Sequence, residues 1–210
     1  LRKHDEQNYN ENRQLLRNCY LTKLLKTMRR LSLFVAFILV FSAVQAQKKK
    51  AKNGKATIFS KTIAETIRAT NNNVISNLDL GSGKMVFVVP VQSFQFKIRA
   101  MQRHFNQPRF MNSKQYPKIK FVGNIQNFSS AMLKKDGKYE VEVVGNITIR
   151  GTTKPLTSKG SLTVAGGEIK GYSKFVVENI SAYGVGKPKK KSKKNNVAEN
   201  IECEVWVTYQ

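Results

Sequence analysis

The chain has 210 residues, 40% of them hydrophobic, and its 37 Lys and Arg against 13 Asp and Glu give a formal net charge of +24. That is enough apolar material for one domain with a core of its own. Two cysteines and two histidines are too few for a disulfide-stapled scaffold or a multi-ligand metal cluster.

The first element along the chain is a targeting segment. Arg29-Arg30 precede the apolar run LSLFVAFILVFSAV, which is too short to span a bilayer comfortably. Val44-Gln45-Ala46 then offers small residues where a signal peptidase reads. This order predicts a signal peptide over 28–46, initiated at Met28 and cleaved near Ala46. Residues 1–27 then read as a non-native, disordered upstream extension. A retained signal anchor is the alternative. The mature chain is expected to be periplasmic or secreted, and with Cys19 removed it keeps Cys203 as a lone thiol on an apolar face.

Much of the excess charge sits in two lysine runs. Residues 47–53 read as a basic tail holding Lys48, Lys49, Lys50 and Lys52. A second run, Lys187, Lys189, Lys190, Lys191, Lys193 and Lys194, reads as a loop. Neither contains Arg or interleaved aromatics, so neither offers bidentate base readout or stacking, and no specific nucleic acid is expected. The plain reading is solvated lysine. The functional alternative is attraction of the second run to an anionic membrane surface or glycan.

From Gly54 the pattern is period two with turn residues between. Ala56 and Ile58 share a face, then Ile67 and Ala69. Asp79-Leu80-Gly81-Ser82-Gly83 is a turn, after which Met85, Phe87, Val89 and Val91 alternate into Phe94 and Phe96. Ile98, Met101 and Phe105 then change to helical spacing, and Pro108 stops that helix. Tyr116-Pro117 restarts an extended chain through Ile119, Phe121, Gly123 and Ile125. Asp136-Gly137 marks a further turn. The clearest strand is Tyr139, Val141, Val143, Gly145, Ile147 and Ile149, with Glu140, Glu142 and Asn146 on its other face. Leu156 to Val164, Ile169 to Val177 and Ile201 to Tyr209 complete the set. About eight strands with one apolar face each suit an antiparallel sandwich or barrel, and closing the sheet removes its edges.

The inward face is not uniformly bulky. Gly123, Gly145, Ser158, Gly160, Gly171 and Ser173 alternate among Phe and Met. Small residues there are expected to leave room for a ligand; the alternative is that they mark bulges and bends. Catalytic chemistry is not expected. His104 has no G-x-S-x-G elbow beside it, and Gly81-Ser82-Gly83 opens no helix. His104 reads as a polar rim residue of the helix.

Three segments resemble the YceI-like family of lipid- or polyisoprenoid-binding periplasmic domains. They are Ser93-Phe94 through Met101-Gln102-Arg103-His104-Phe105-Asn106, Tyr116-Pro117-Lys118-Ile119-Lys120-Phe121, and Gly145-Asn146-Ile147-Thr148-Ile149-Arg150-Gly151-Thr152-Thr153-Lys154. The likeness covers residues 54–210 and departs at Arg150, where the family often has His. It implies an all-β, eight-stranded antiparallel lipocalin-like barrel with one short helix. It also implies a lumen that holds a long apolar chain: a polyisoprenoid, a quinone tail or a fatty acyl derivative. Members are often homodimers. On that reading Phe87, Phe94, Met101, Phe105, Phe121, Ile147, Phe175 and Val205 contact the tail. Phe110, Met111 and Tyr116 form the lid or mouth. No catalytic residue, metal or other cofactor is expected.

Overall fold

The computed structural model describes residues 48–61, 66–186 and 198–210. The predicted extension over 1–27, the signal peptide over 28–46 and the lysine run from Lys187 to Lys194 lie outside them.

Alternation of apolar and polar side chains drives most of the described chain into strands. In order they are β1 (Lys48–Lys61), β2 (Thr66–Asp79), β3 (Lys84–Pro90), β4 (Gln95–Phe96), the helix α1 (Arg99–Asn106), β5 (Lys118–Ile125), β6 (Gly137–Ile149), β7 (Thr152–Ala165), β8 (Glu168–Val177) and β9 (Ile201–Tyr209). Neighbours pair antiparallel in the order β1-β9-β8-β7-β6-β5-β3-β2, and β1 pairs with β2 again. The sheet therefore closes into an eight-stranded barrel. The two-residue β4 is an addition on β2, with Ala69 opposite Phe96.

Several expectations need correcting. The stretch over 48–53 is no tail: it is the first part of β1, and Lys48 pairs with Asp79 while Ala51 pairs with Ser76. Ala51 is buried in the core, and inward residues of this kind are what a strand needs to hold its register. β3 does not run into Phe94. It ends at Pro90, where a 3-10 turn over Val91–Ser93 redirects the chain, and buried Asn71 donates its amide to the Pro90 carbonyl at 2.8 Å. Ile98 is not part of the apolar helix face. It precedes α1 and is 50% exposed. The strand read from Leu156 begins earlier, at Thr152. Arg150 and Gly151, both at positive φ, make a two-residue hairpin between β6 and β7, with Ile149 opposite Thr152. Pro155 lies inside β7, where no pairing to β8 is made, so its missing N–H leaves no ladder gap on that side.

The apolar faces gather in two clusters. The lower cluster, where β3 begins and β9 ends, packs Leu78, Met85, Ile125, Leu162, Val164, Ile169 and Tyr209, with Phe128 and Leu133 added from the β5–β6 connection. Its buried polar pair is satisfied, because the Ser76 and Tyr209 hydroxyls share a hydrogen bond of 2.8 Å. Burial pushes the Tyr209 phenol well above its ordinary range. The upper cluster packs Val91, Met111, Ile147, Ile149, Val177, Ile180, Tyr183 and Val185, so more than half its members come from outside the strands.

Candidate ligand cavity

The strands that form the barrel wall send their alternate side chains toward one another, yet the two clusters do not meet. Between them lies an apolar cavity of about 240 Å3. Its wall contains no charged side chain. An apolar cavity of about 150 Å3 is already large enough to stay dry and bind benzene. Apolar side chains facing an unfilled hollow forgo the packing contacts that a close-packed core would give them.

Eight of the residues read as ligand contacts or mouth line this cavity. Phe87, Phe94, Phe105, Phe121, Ile147, Phe175 and Val205 do so as tail-facing residues, and Met111, expected at the mouth, is buried in the wall itself. Three do not. Met101 is half-buried on α1, one turn before Phe105 on the same helix face, but it lies outside the lining, which Phe105 reaches. Phe105 packs edge-on against Phe94 at 5.5 Å and meets Phe96 at 4.9 Å. Phe110 and Tyr116 lie on the outer side of the upper closure. The Phe110 ring stacks at 6.5 Å on exposed His104, and the Tyr116 ring stands over Gly151 and near the Arg150 guanidinium.

The small inward residues divide: Ser158, Gly160, Gly171 and Ser173 line the hollow as expected, and Gly123 and Gly145 do not. Gly123 and Gly145 face each other across β5 and β6 in continuous register, so neither is a bulge. The Phe121 ring lies over both: a Cβ on Gly123 would come within 2.6 Å of it, and one on Gly145 within 2.8 Å. These glycines seat a ring flat on the wall. Gly160 does line the cavity, although a Cβ there would come within 2.4 Å of the Tyr172 carbonyl oxygen. Beside the hollow, two strands of the wall separate. β7 pairs with β8 only from Gly160–Ser173 down to Ala165–Glu168, while β8 stays paired to β9 up to Val177–Ile201. Above Ser158 and Ser173, therefore, β7 and β8 part. Those two hydroxyls hydrogen-bond to each other at the fork, and Ser173 donates to the Lys159 carbonyl at 2.8 Å. Leu156, Ile180 and Val185 line the cavity beside the gap.

Sequence reasoning missed the residue that holds the upper end together. The Arg150 guanidinium donates to the carbonyls of Phe110 (2.6 Å), Pro108 (3.1 Å) and Gly184. It thereby ties the loop after α1 to the turn that follows Ile180–Tyr183. The signal was present as a large cation at the hairpin position where φ is positive, a conformation a long side chain adopts only when something holds it. The cavity wall also carries Cys203, whose thiol is pushed up to about 12 by burial and, secondarily, by neighbouring Glu202. It stays neutral at physiological pH, so it adds no charge to the wall. Among the described residues, no three His, Cys, Asp or Glu come together as a metal site.

Comparison with known proteins agrees with this geometry. The family model described as the YceI-like domain matches residues 41–209. A UPF0312 protein of Pseudomonas putida is 30% identical over 91 residues, 41% of this chain and 44% of that protein, so the chain covers less than half the length of such curated relatives. Among solved structures, a polyisoprenoid binding domain from Saccharophagus degradans superposes with a TM-score of 0.65 at 9% identity, covering 78% of this chain and 98% of that one. BcnA of Burkholderia cenocepacia superposes with a TM-score of 0.61 at 16% identity, covering 74% and 95%. At these identities the structural likeness shows the shared barrel alone.

Proposed function

The chain belongs to the YceI-like domain family, and from that premise we propose that it is an exported, non-enzymatic protein that binds a long-chain apolar ligand inside its barrel as carrier or sequestering protein. The observation that carries this reading is the cavity: about 240 Å3, walled without a single charged side chain, and sealed at its lower end. Burial of each methylene contributes about 0.8 kcal/mol, so roughly ten buried carbons supply about 8 kcal/mol before the losses of association. No polar readout is needed to reach useful affinity. The polyisoprenoid-binding description of the Saccharophagus neighbour supports an isoprenoid chain over other tails. Export rests on Arg29-Arg30, the apolar run after them and Val44-Gln45-Ala46.

The ligand enters through the upper end, where loops rather than strands close the barrel. Native mass spectrometry of the gently purified protein is expected to show one bound lipid, released by organic extraction. A protein that is free of lipid and also fails to take up neutral apolar fluorophores defeats the reading.

A further inference from the structure

One inward-facing side chain breaks the pattern of the cavity. Strand alternation places Ala56, Ile58 and Ser60 on the same face of β1, and all three line the hollow. Ser60 is only 7% exposed, and its Oγ has no hydrogen-bond partner among the described residues. Other inward polar groups of the wall are committed. Ser158 and Ser173 bond to each other, Ser173 also reaches the Lys159 carbonyl, and the Cys203 thiol lies 3.7 Å from the Ile201 carbonyl. A buried hydroxyl without a partner is costly, and native proteins rarely leave one. An alanine or valine at this position would avoid that cost and match its neighbours.

Resting on the binding reading above, we propose that the Ser60 hydroxyl is the anchor for a neutral oxygen of the ligand, an alcohol or a carbonyl, and that the cavity thereby selects uncharged oxygenated lipids over their carboxylate counterparts. Ser60 pairs with Ile67 near the end of the barrel where Phe96 of β4 sits opposite Ala69, so the oxygen lies toward the upper end and the tail points down toward Met85 and Val207. A hydroxyl donates to either kind of oxygen. A carboxylate in the same place would bring a charge into a wall with no cation to pair it, and such burial is strongly unfavourable.

The test is displacement of N-phenylnaphthylamine from the full chain by dodecanol, dodecane and dodecanoate at neutral pH. Ser60→Ala and Ser60→Cys should each weaken dodecanol about fivefold, the scale of one lost hydrogen bond, and leave dodecane unchanged. Dodecanoate should bind more weakly than dodecanol to the unmodified protein. Retained dodecane binding also shows that each variant still forms the barrel. If dodecanol and dodecane keep their native ratio in both variants, or if both variants lose both ligands alike, the anchor is overturned while the binding reading stands. If neither dodecane nor dodecanol displaces the probe from the unmodified protein, the binding reading itself fails and takes the anchor with it.

Discussion

The two ends of the barrel are built from similar apolar residues and do different work. The lower end is closed by the strands themselves. Leu78 and Tyr209 are fully buried, and the Lys50 and Gln210 backbones exchange a pair of hydrogen bonds that stitches β1 to the segment after β9. The turn after β2 is held by the Asp79 carboxylate, which accepts from the Gly81 and Ser82 amides and is kept below its usual pKa chiefly by Ser82. The upper end is closed by segments that are not strands: α1, the loop over 107–117, and the turn over Ile180–Tyr183. The two loops are tied together by the Arg150 guanidinium and a single backbone hydrogen bond, from the Gly186 N–H to the Arg109 carbonyl at 2.9 Å, rather than by a ladder. A barrel that is close-packed at one end and assembled from loops at the other has its low-stability unit beside its cavity.

The comparison can be broken most severely from below. Leu78→Ala removes a fully buried side chain from the dense cluster and should destabilise by about 3 kcal/mol in chemical denaturation, with lipid still bound in the folded fraction. Substituting Arg150 tests the upper end. Arg150→Ala strips three carbonyls of a charged donor and should cost about 2 kcal/mol. The matching change in ligand release, measured by stopped-flow fluorescence, is an acceleration of about tenfold. An unchanged release rate would mean that the loops it ties are not the way in.

A size increase sharpens the contrast. Val205→Phe puts a ring into the cavity and should lower affinity for a neutral apolar probe about tenfold while leaving stability within about 1 kcal/mol. Val164→Phe, in the packed lower cluster, should destabilise by about 1–3 kcal/mol and leave probe affinity intact. The smallest effect is on pH dependence. The Cys203 pKa is raised in the fold from 9.0 to about 12, so the stability it contributes is intact below pH 9 and is lost progressively as pH rises toward 12. At pH 10 the loss is at most about 1.4 kcal/mol. Cys203→Ala should flatten the fall between pH 9 and pH 10, leaving the share due to Tyr209 and Tyr183, whose pKa values burial moves in the same direction.

Period-two alternation is a local property, and so the strands, their inward faces and the turn at Asp79 were readable from residue order. The helix was readable for the same reason, since Met101 and Phe105 leave the period of two and Pro108 cannot continue a helix. Eight of the eleven proposed contact residues line the cavity, and five of them, Phe87, Phe121, Ile147, Phe175 and Val205, do so because alternation alone sends them inward. The other six lie outside the strands, where no strand period dictates which way a side chain points: Phe94, Phe105 and Met111 face the cavity, and Met101, Phe110 and Tyr116 do not.

What only the assembled barrel decided is where the space lies. A glycine in a strand looks like room, yet Phe121 folds over Gly123 and Gly145 and takes that room away. Beside the hollow β7 and β8 part above Gly160 and Ser173, a matter of which strands pair and for how long. The same holds for Ser60 and Arg150. A hydroxyl is left without a partner, and a guanidinium finds three carbonyls, only once strands distant in sequence have closed around them.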